Sequence, residues 1–387
     1  MKLPVYLDHN ATTPVDPVVL ERMLPFFREH FGNPSSKGHA YGWAAEEAVT
    51  QAREQVAELL GAAPEEIVFT GGATESINTA VKGAAEVYGR RGRHVVTVQT
   101  EHPAVLGACR ALERRGFRVT YLPVAPDGRV TPEAVAEALT DETILVAVMW
   151  ANNETGVLHP VEEIGSVVRA HGALFLCDAT QAVGKVPVSV EHVDLLACSA
   201  HKFYGPKGVG ALFVRRGRRP VRLTPLLDGG SQEGGRRAGT LNVPGIVGMG
   251  AAAVRARELL PEETRRLQGL RDRMEAAFCA ALPDVVVNGA EAPRLPQTAS
   301  ITFRGVRAAD LIARLRTLAL STGSACASGS SRPSHVLKAL GLSDEDAAAT
   351  LRFSLGRFTT DEEVRYAVGQ VVAAVQALRG EAAGVAR

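Results

Sequence analysis

Asp178 and Lys202 stand 24 residues apart, each just where an apolar run gives way to polar residues. Leu174-Phe175-Leu176-Cys177-Asp178 reads as one buried strand and Leu195-Leu196-Ala197-Cys198-Ser199, followed by Ala200-His201-Lys202, as a second. Ala211 to Val214 is a third. Near-continuous apolar strands belong to sheets covered on both faces, and ligands of such sheets gather beyond the carboxyl ends of the strands. Asp178, Ser199, His201 and Lys202 are therefore expected to share one crevice. A lysine beside a carboxylate there suits pyridoxal phosphate, whose aldehyde condenses with the amine while the acid keeps the ring nitrogen protonated. An ion pair capping two strands uses the same two residues, and the pair alone leaves both readings open.

Other strand ends add to the picture. Glu66 to Thr70 runs into Gly71-Gly72-Ala73-Thr74-Glu75-Ser76 and then a helical pattern, the strand, glycine turn and helix start that presents free N–H groups to a phosphate. Many turns share that pattern with no such ligand. His94 to Thr100 ends at Glu101-His102, and Thr143 to Trp150 ends at Asn152-Asn153-Glu154. Taken singly, His102 reads as a structural imidazole. Helical segments at 105–115, 132–138 and 161–171 alternate with these strands, so the sheet is expected to be parallel and its polar ends to line up on one edge. Ala44 to Leu60 is a helix closed by Gly61. His9, His39 and the asparagines near the start read as turn and cap groups.

These elements imply an α/β fold. A large domain, 13–255, carries the mostly parallel, helix-covered sheet, and 1–12 with 256–387 form a smaller α+β domain; helices at 251–260 and 265–282 mark the boundary. With 46% hydrophobic and 22% charged residues the chain is an ordinary globular one. A net charge of +1 gives no field for nucleic acid or an anionic membrane. The start has no apolar signal segment and no run is long enough to span a bilayer, so a cytoplasmic address is expected. Arginine and glycine dominate 215–240 without interleaved aromatics, which favours a solvated turn and a dimer-contact loop over an RNA patch.

The motifs taken together resemble those of pyridoxal-phosphate-dependent cysteine desulfurases, the class V aminotransferase-like enzymes of iron–sulfur cluster assembly. Leu7-Asp8-His9-Asn10-Ala11-Thr12-Thr13-Pro14, Phe69 to Ser76, Thr100-Glu101-His102, Asn152-Asn153-Glu154, Asp178-Ala179-Thr180-Gln181, Ser199 to Lys202 and Arg237-Ala238-Gly239-Thr240 carry the resemblance, over nearly the whole chain. It implies the fold type I architecture, with Lys202 carrying the cofactor, Asp178 on the pyridine nitrogen and Gln181 on the ring hydroxyl. His102 would stack on the ring, and Asn153 would meet ring and substrate. Ala73, Thr74, Ser199 and His201 would hold the phosphate. Arg352 would take the substrate carboxylate, and Thr240 would reach the partner subunit's phosphate in a homodimer. Gly71 departs from the usual serine.

Cysteine usage points to the reaction. The five cysteines form no CxxC pair and no zinc spacing, so free thiols and no metal are expected. Cys109, Cys177, Cys198 and Cys279 lie on apolar patterns and read as core. Cys326 instead sits in Ser321 to Ser334, a small-residue stretch with the composition of a long mobile loop, where a thiol can act as a nucleophile. Its surroundings resemble the loop that bears the sulfur-accepting cysteine in one desulfurase subgroup. The resemblance thus implies conversion of L-cysteine to alanine with a persulfide on Cys326, passed to an iron–sulfur scaffold or another acceptor. A selenocysteine lyase or another pyridoxal-phosphate lyase or aminotransferase is the alternative among enzymes. A non-catalytic sulfur-handling scaffold would have no use for Lys202 and Asp178.

Overall fold

In the computed structural model, which describes residues 1–217, 220–322 and 333–385, seven strands form the central sheet. They are β2 (Ile67–Thr70), β3 (His94–Val98), β4 (Arg118–Leu122), β5 (Thr143–Met149), β6 (Leu174–Asp178), β7 (Leu195–Ser199) and β8 (Gly210–Val214), in the spatial order β2-β8-β7-β6-β5-β3-β4. Pairing is parallel from β4 through to β7, and only β8 runs the other way, antiparallel to both neighbours. The carboxyl ends of β2, β7, β6, β5 and β3 therefore share one edge. The polar residues that follow them meet there in the order Thr74, Ser199 to Lys202, Asp178, Asn153 and His102, as the alternation of strands and helices predicts. Both faces are covered, and β2, β3, β5, β7 and β8 are buried throughout.

A second hydrophobic core lies around β9 (Val285–Val287), β10 (Thr298–Phe303) and β12 (Thr350–Ser354), an antiparallel sheet in the order β12-β10-β9. Phe278, Phe303 and Phe353 pack ring against ring at its centre. Val5 and Leu7 from the start of the chain belong to this core too. They arrive through β1 (Val5–Tyr6), which pairs with β11 (Leu318–Ala319). The start of the chain thus crosses from the second core to the strand ends of the first.

Several sequence expectations need correction. The two helices expected at 251–260 and 265–282 are one, Val243–Ala281, with Pro261 inside it. A proline removes one helical hydrogen bond. Here the residues before it pack on the first core and those after it on the second, so the helix continues through. Cys279 is exposed, because one residue past the buried Phe278 the helix has turned by about 100° and carries the side chain off the core-facing stripe. Arg357, which from the sequence reads as a surface or secondary contact, is no surface group. Its guanidinium bonds Asp16 and Glu263 at 2.6 Å each and lies 4.1 Å over the Tyr204 ring, clamping the two cores together.

The arginine- and glycine-rich segment is also more than a solvated turn. Glu233 accepts the N–H of Phe69 at 2.8 Å and pairs with Arg53 at 2.6 Å, while Arg53 donates to the carbonyl of Ile67 at 2.7 Å. Side chains thereby satisfy the open edge of β2, which protects it from pairing with another strand. Arg218 and Arg219 lie outside the described residues.

Candidate active site

The helix Ala73–Tyr88 begins at the sheet edge with Gly72 as its N-cap, at φ 149, and no side chain caps it. Its first N–H groups are therefore available to an anion. A Cβ on Gly72 would lie 3.5 Å from Ser199 Oγ, and one on Gly210 would strike the Gly72 backbone at 2.6 Å. Glycine at 210 for want of room, and at 72 for its positive φ, thus lets the turn close onto the end of β7 and the start of β8. The hydroxyl-bearing Thr74 is exposed on the first helical turn. His201 bonds Thr12 Oγ1 through Nδ1 at 3.1 Å, and burial with Lys202, Lys207 and Lys185 nearby lowers its pKa to about 4. The imidazole is neutral at physiological pH. This cradle of backbone amides, hydroxyls and a neutral ring fits a phosphate.

The other end of the crevice is built from distant segments. Lys202 Nζ donates to the carbonyls of Asn10 at 2.6 Å and Ala11 at 2.8 Å. Gln181 Nε2 donates to the same Asn10 oxygen at 2.9 Å, and its Oε1 accepts from Lys185 at 2.9 Å. The side chain of Asn10 donates to the carbonyl of Asn153 at 3.2 Å, to which Arg352 also donates at 2.9 Å. Arg352 in turn pairs with Asp8 at 2.6 Å. Asp178 is buried at the end of β6, where Oδ1 accepts the N–H of Thr180 at 3.0 Å. His102 caps the helix Pro103–Glu113, Nδ1 accepting from the N–H of Ala104 at 3.1 Å. Burial lowers its pKa; the charge of Asp178 opposes that, while Lys202 and His335 reinforce it. One imidazole thus senses both residues from which the sequence reading began.

Sequence reasoning brought most of these residues to the crevice and missed four that organise it. Asn10 has the local pattern of a turn residue, yet it is 1% exposed and links Gln181, Lys202 and Asn153. These partners lie more than 140 residues away, and no local pattern announces them. Lys185 is buried behind Gln181. Glu101 accepts the N–H of Met149, and burial, with Asp178 adding, holds its carboxyl well above the usual range. Glu154 accepts from Ser334 at 2.6 Å while His335 donates to the carbonyl of Glu101 at 3.0 Å. Cys326 lies outside the described residues. Thr240 is exposed and makes no hydrogen bond with the crevice within this chain among the described residues.

Pyridoxal phosphate fits these groups: an anion cradle at one end, a buried carboxylate below, and an amine and an amide opposite. Comparison with known proteins agrees. The class-V aminotransferase pattern matches residues 5–366. The cysteine desulfurase IscS of Anaeromyxobacter sp. (strain Fw109-5) is 55% identical over 98% of this chain and 94% of its own length. That of Rickettsia akari (strain Hartford) is 47% identical over 98% and 93%. Among solved structures, a NifS-like protein superposes with a TM-score of 0.89 at 39% identity, covering 96% of this chain and 99% of its own. SspA in complex with cysteine gives 0.82 at 38% identity over 92% and 100%. With matches of this extent around such a crevice, the chain belongs to the class-V aminotransferase family and, within it, to the cysteine desulfurases, enzymes that depend on pyridoxal phosphate.

Proposed function

We propose that this chain takes sulfur from L-cysteine, releasing alanine and leaving a persulfide on Cys326. The supporting observation is the convergence on Asn10, which joins Lys202, Gln181 and, through Asn153, Arg352 at one end of a crevice whose other end is an anion cradle. Pyridoxal phosphate, when bound, supplies the electron sink that loosens bonds at the amino acid's Cα. Lys202 anchors it. Ala73, Thr74, Ser199 and His201 hold the phosphate, Asp178 keeps the ring-nitrogen proton, Gln181 donates to the ring hydroxyl, and the His102 ring covers one face. Arg352 presents its fork to the substrate carboxylate, oriented by Asp8 and the Asn153 carbonyl. Asn153 itself sits beside ring and substrate.

Lys202 Nζ, once displaced by the substrate amine, takes the Cα proton. The Cys326 thiolate then attacks the substrate sulfur: an S–S bond forms, the Cβ–S bond breaks, and Cβ takes a proton to become the methyl of alanine. The domain division at 13–255 places the crevice residues from Thr13 to Thr240 in the large domain and Arg352 and Cys326 in the small one. A homodimer is supported by the exposed Phe27, Phe31, Tyr41 and Trp43, and by a groove of about 680 Å³ in which Lys37 and Glu46 border Gln232 and Arg236, near Thr240. In that dimer Thr240 reaches the partner's phosphate. The sulfur passes to an acceptor such as an iron–sulfur scaffold protein, in the cytoplasm. No described helix is long and apolar enough to cross a membrane.

The test is a cysteine pulse on purified protein. Alanine and the persulfide should form, with mass spectrometry finding the added sulfur on the Cys326 peptide and on none bearing Cys109, Cys177, Cys198 or Cys279. Cys326→Ser should bind cysteine and make almost no alanine. Undiminished alanine from that variant would show that Cys326 does not accept the sulfur, and pyruvate or 3-mercaptopyruvate in place of alanine would point instead to a β-lyase or an aminotransferase.

A further inference from the structure

Lys185 is a second lysine of the crevice that the reaction above does not use. It follows Gln181 by four residues in the tight turn after β6, where the N–H of Val183 bonds the carbonyl of Ala179 and that of Val186 bonds the carbonyl of Ala182. That winding puts the two side chains on one face. The residue is 9% exposed, and among the described residues its amine makes a single hydrogen bond, to Gln181 Oε1 at 2.9 Å. No carboxylate among the described residues pairs with it. The charged groups it senses are the cations Lys202 and Arg352, and it in turn disfavours protonation of His9 and His201. Glu263 lines the same small cavity, but Arg357 engages its carboxylate.

An ammonium carries three donors, and stranding it in the interior with one acceptor is costly. Burial with Lys202 and Arg352 close by accordingly holds the amine well below its usual pKa. A neutral amine at this place still has a directional use. By donating to Oε1 it fixes which end of the Gln181 amide faces inward, and the Asn10 carbonyl holds the opposite end through Nε2. The remaining Nε2 proton is thereby committed to the crevice.

We propose that Lys185 is a positioning residue, which acts on the reaction through Gln181 by locking that amide with its N–H toward the cofactor's ring hydroxyl. The inference rests on the cofactor placement given above. Lys185→Met, which keeps the length and apolar stem but removes the donor, should shift the pH midpoint of the holoprotein's visible cofactor absorbance. It should lower kcat about five- to tenfold, the worth of one weakened hydrogen bond, with KM for cysteine little changed. Lys185→Gln retains an uncharged donor and should recover part of both.

The decisive arm is a double-mutant cycle, because residues acting through one another are non-additive. In a Gln181→Ala background Lys185→Met should add no further shift and less than about a twofold change in kcat. The same Lys185→Met effect in both backgrounds overturns the proposal, since the lysine would then act without Gln181. So does a wild-type titration for Lys185→Met beside a shifted one for Gln181→Ala. If Gln181→Ala itself leaves the titration unmoved, the underlying placement of Gln181 fails, a result distinct from the other two.

Discussion

The two ends of the crevice are made in different ways. The phosphate end is largely local: residues 70–76 supply the turn and the helix start, and Ser199 and His201 close over it from the end of β7. The ring end is assembled from residues 8–10, 153, 178–185, 202 and 352, brought together only when both cores are folded. A contiguous motif made of backbone amides is suited to holding an anion, and it tolerates changes of side chain. A network of side chains on carbonyls fixes directions, which proton transfer demands. Changes at the ring end should therefore reduce rate, and changes at the phosphate end should reduce cofactor retention.

Lys202→Ala removes both anchor and base and should lower alanine formation by on the order of 10³-fold or more, with the yellow colour lost. Asp178→Ala should leave the cofactor bound through its phosphate yet cost roughly 2 to 3 kcal/mol of transition-state stabilisation, about a hundredfold in kcat. Near-normal turnover in that variant would remove the distinction between the ends.

At the phosphate end the expected changes are smaller and of another kind. Glu75 accepts the N–H of Gly71 at 2.7 Å and pairs with Arg237 at 2.9 Å, tying the turn to the segment that bears Thr240. Glu75→Ala should weaken cofactor binding about three- to tenfold in equilibrium dialysis, leaving kcat at saturating cofactor within about twofold. A large fall in kcat with unchanged affinity would contradict the comparison.

How much of this was legible follows the same division. The phosphate turn was readable because its glycines, hydroxyls and helix start are consecutive, and Asp178 and Lys202 because each terminates an apolar run. Asn10 and Lys185 were not, since their meaning lies in partners that the fold supplies: the Lys202 and Gln181 donors for one, burial behind an amide for the other. Arg357 failed for the same reason, its carboxylates being Asp16 and Glu263. The fold itself was legible through the alternation of strands and helices, whereas the continuity of the helix through Pro261 depends on packing against both cores.

The smallest effect concerns pH. Burial lowers the pKa of His9, His159 and His201 to about 4. Since the unfolded chain takes up these protons near pH 6.5 and the folded one only near 4, the unfolded state is favoured as pH falls through that window; above it the contribution is constant. The urea midpoint should thus drop between pH 6.5 and 4, and His201→Gln should flatten that slope slightly. An unchanged slope would mean that folding does not lower the pKa of His201.

The most direct test of the account exploits the two neighbouring lysines. Reduction of the holoprotein with borohydride fixes the cofactor to whichever amine carries it, and peptide mapping then reads the position. The cofactor should be found on the peptide containing Lys202, with Lys185 unmodified. Modification of Lys185, or of neither lysine in a yellow protein, would contradict it.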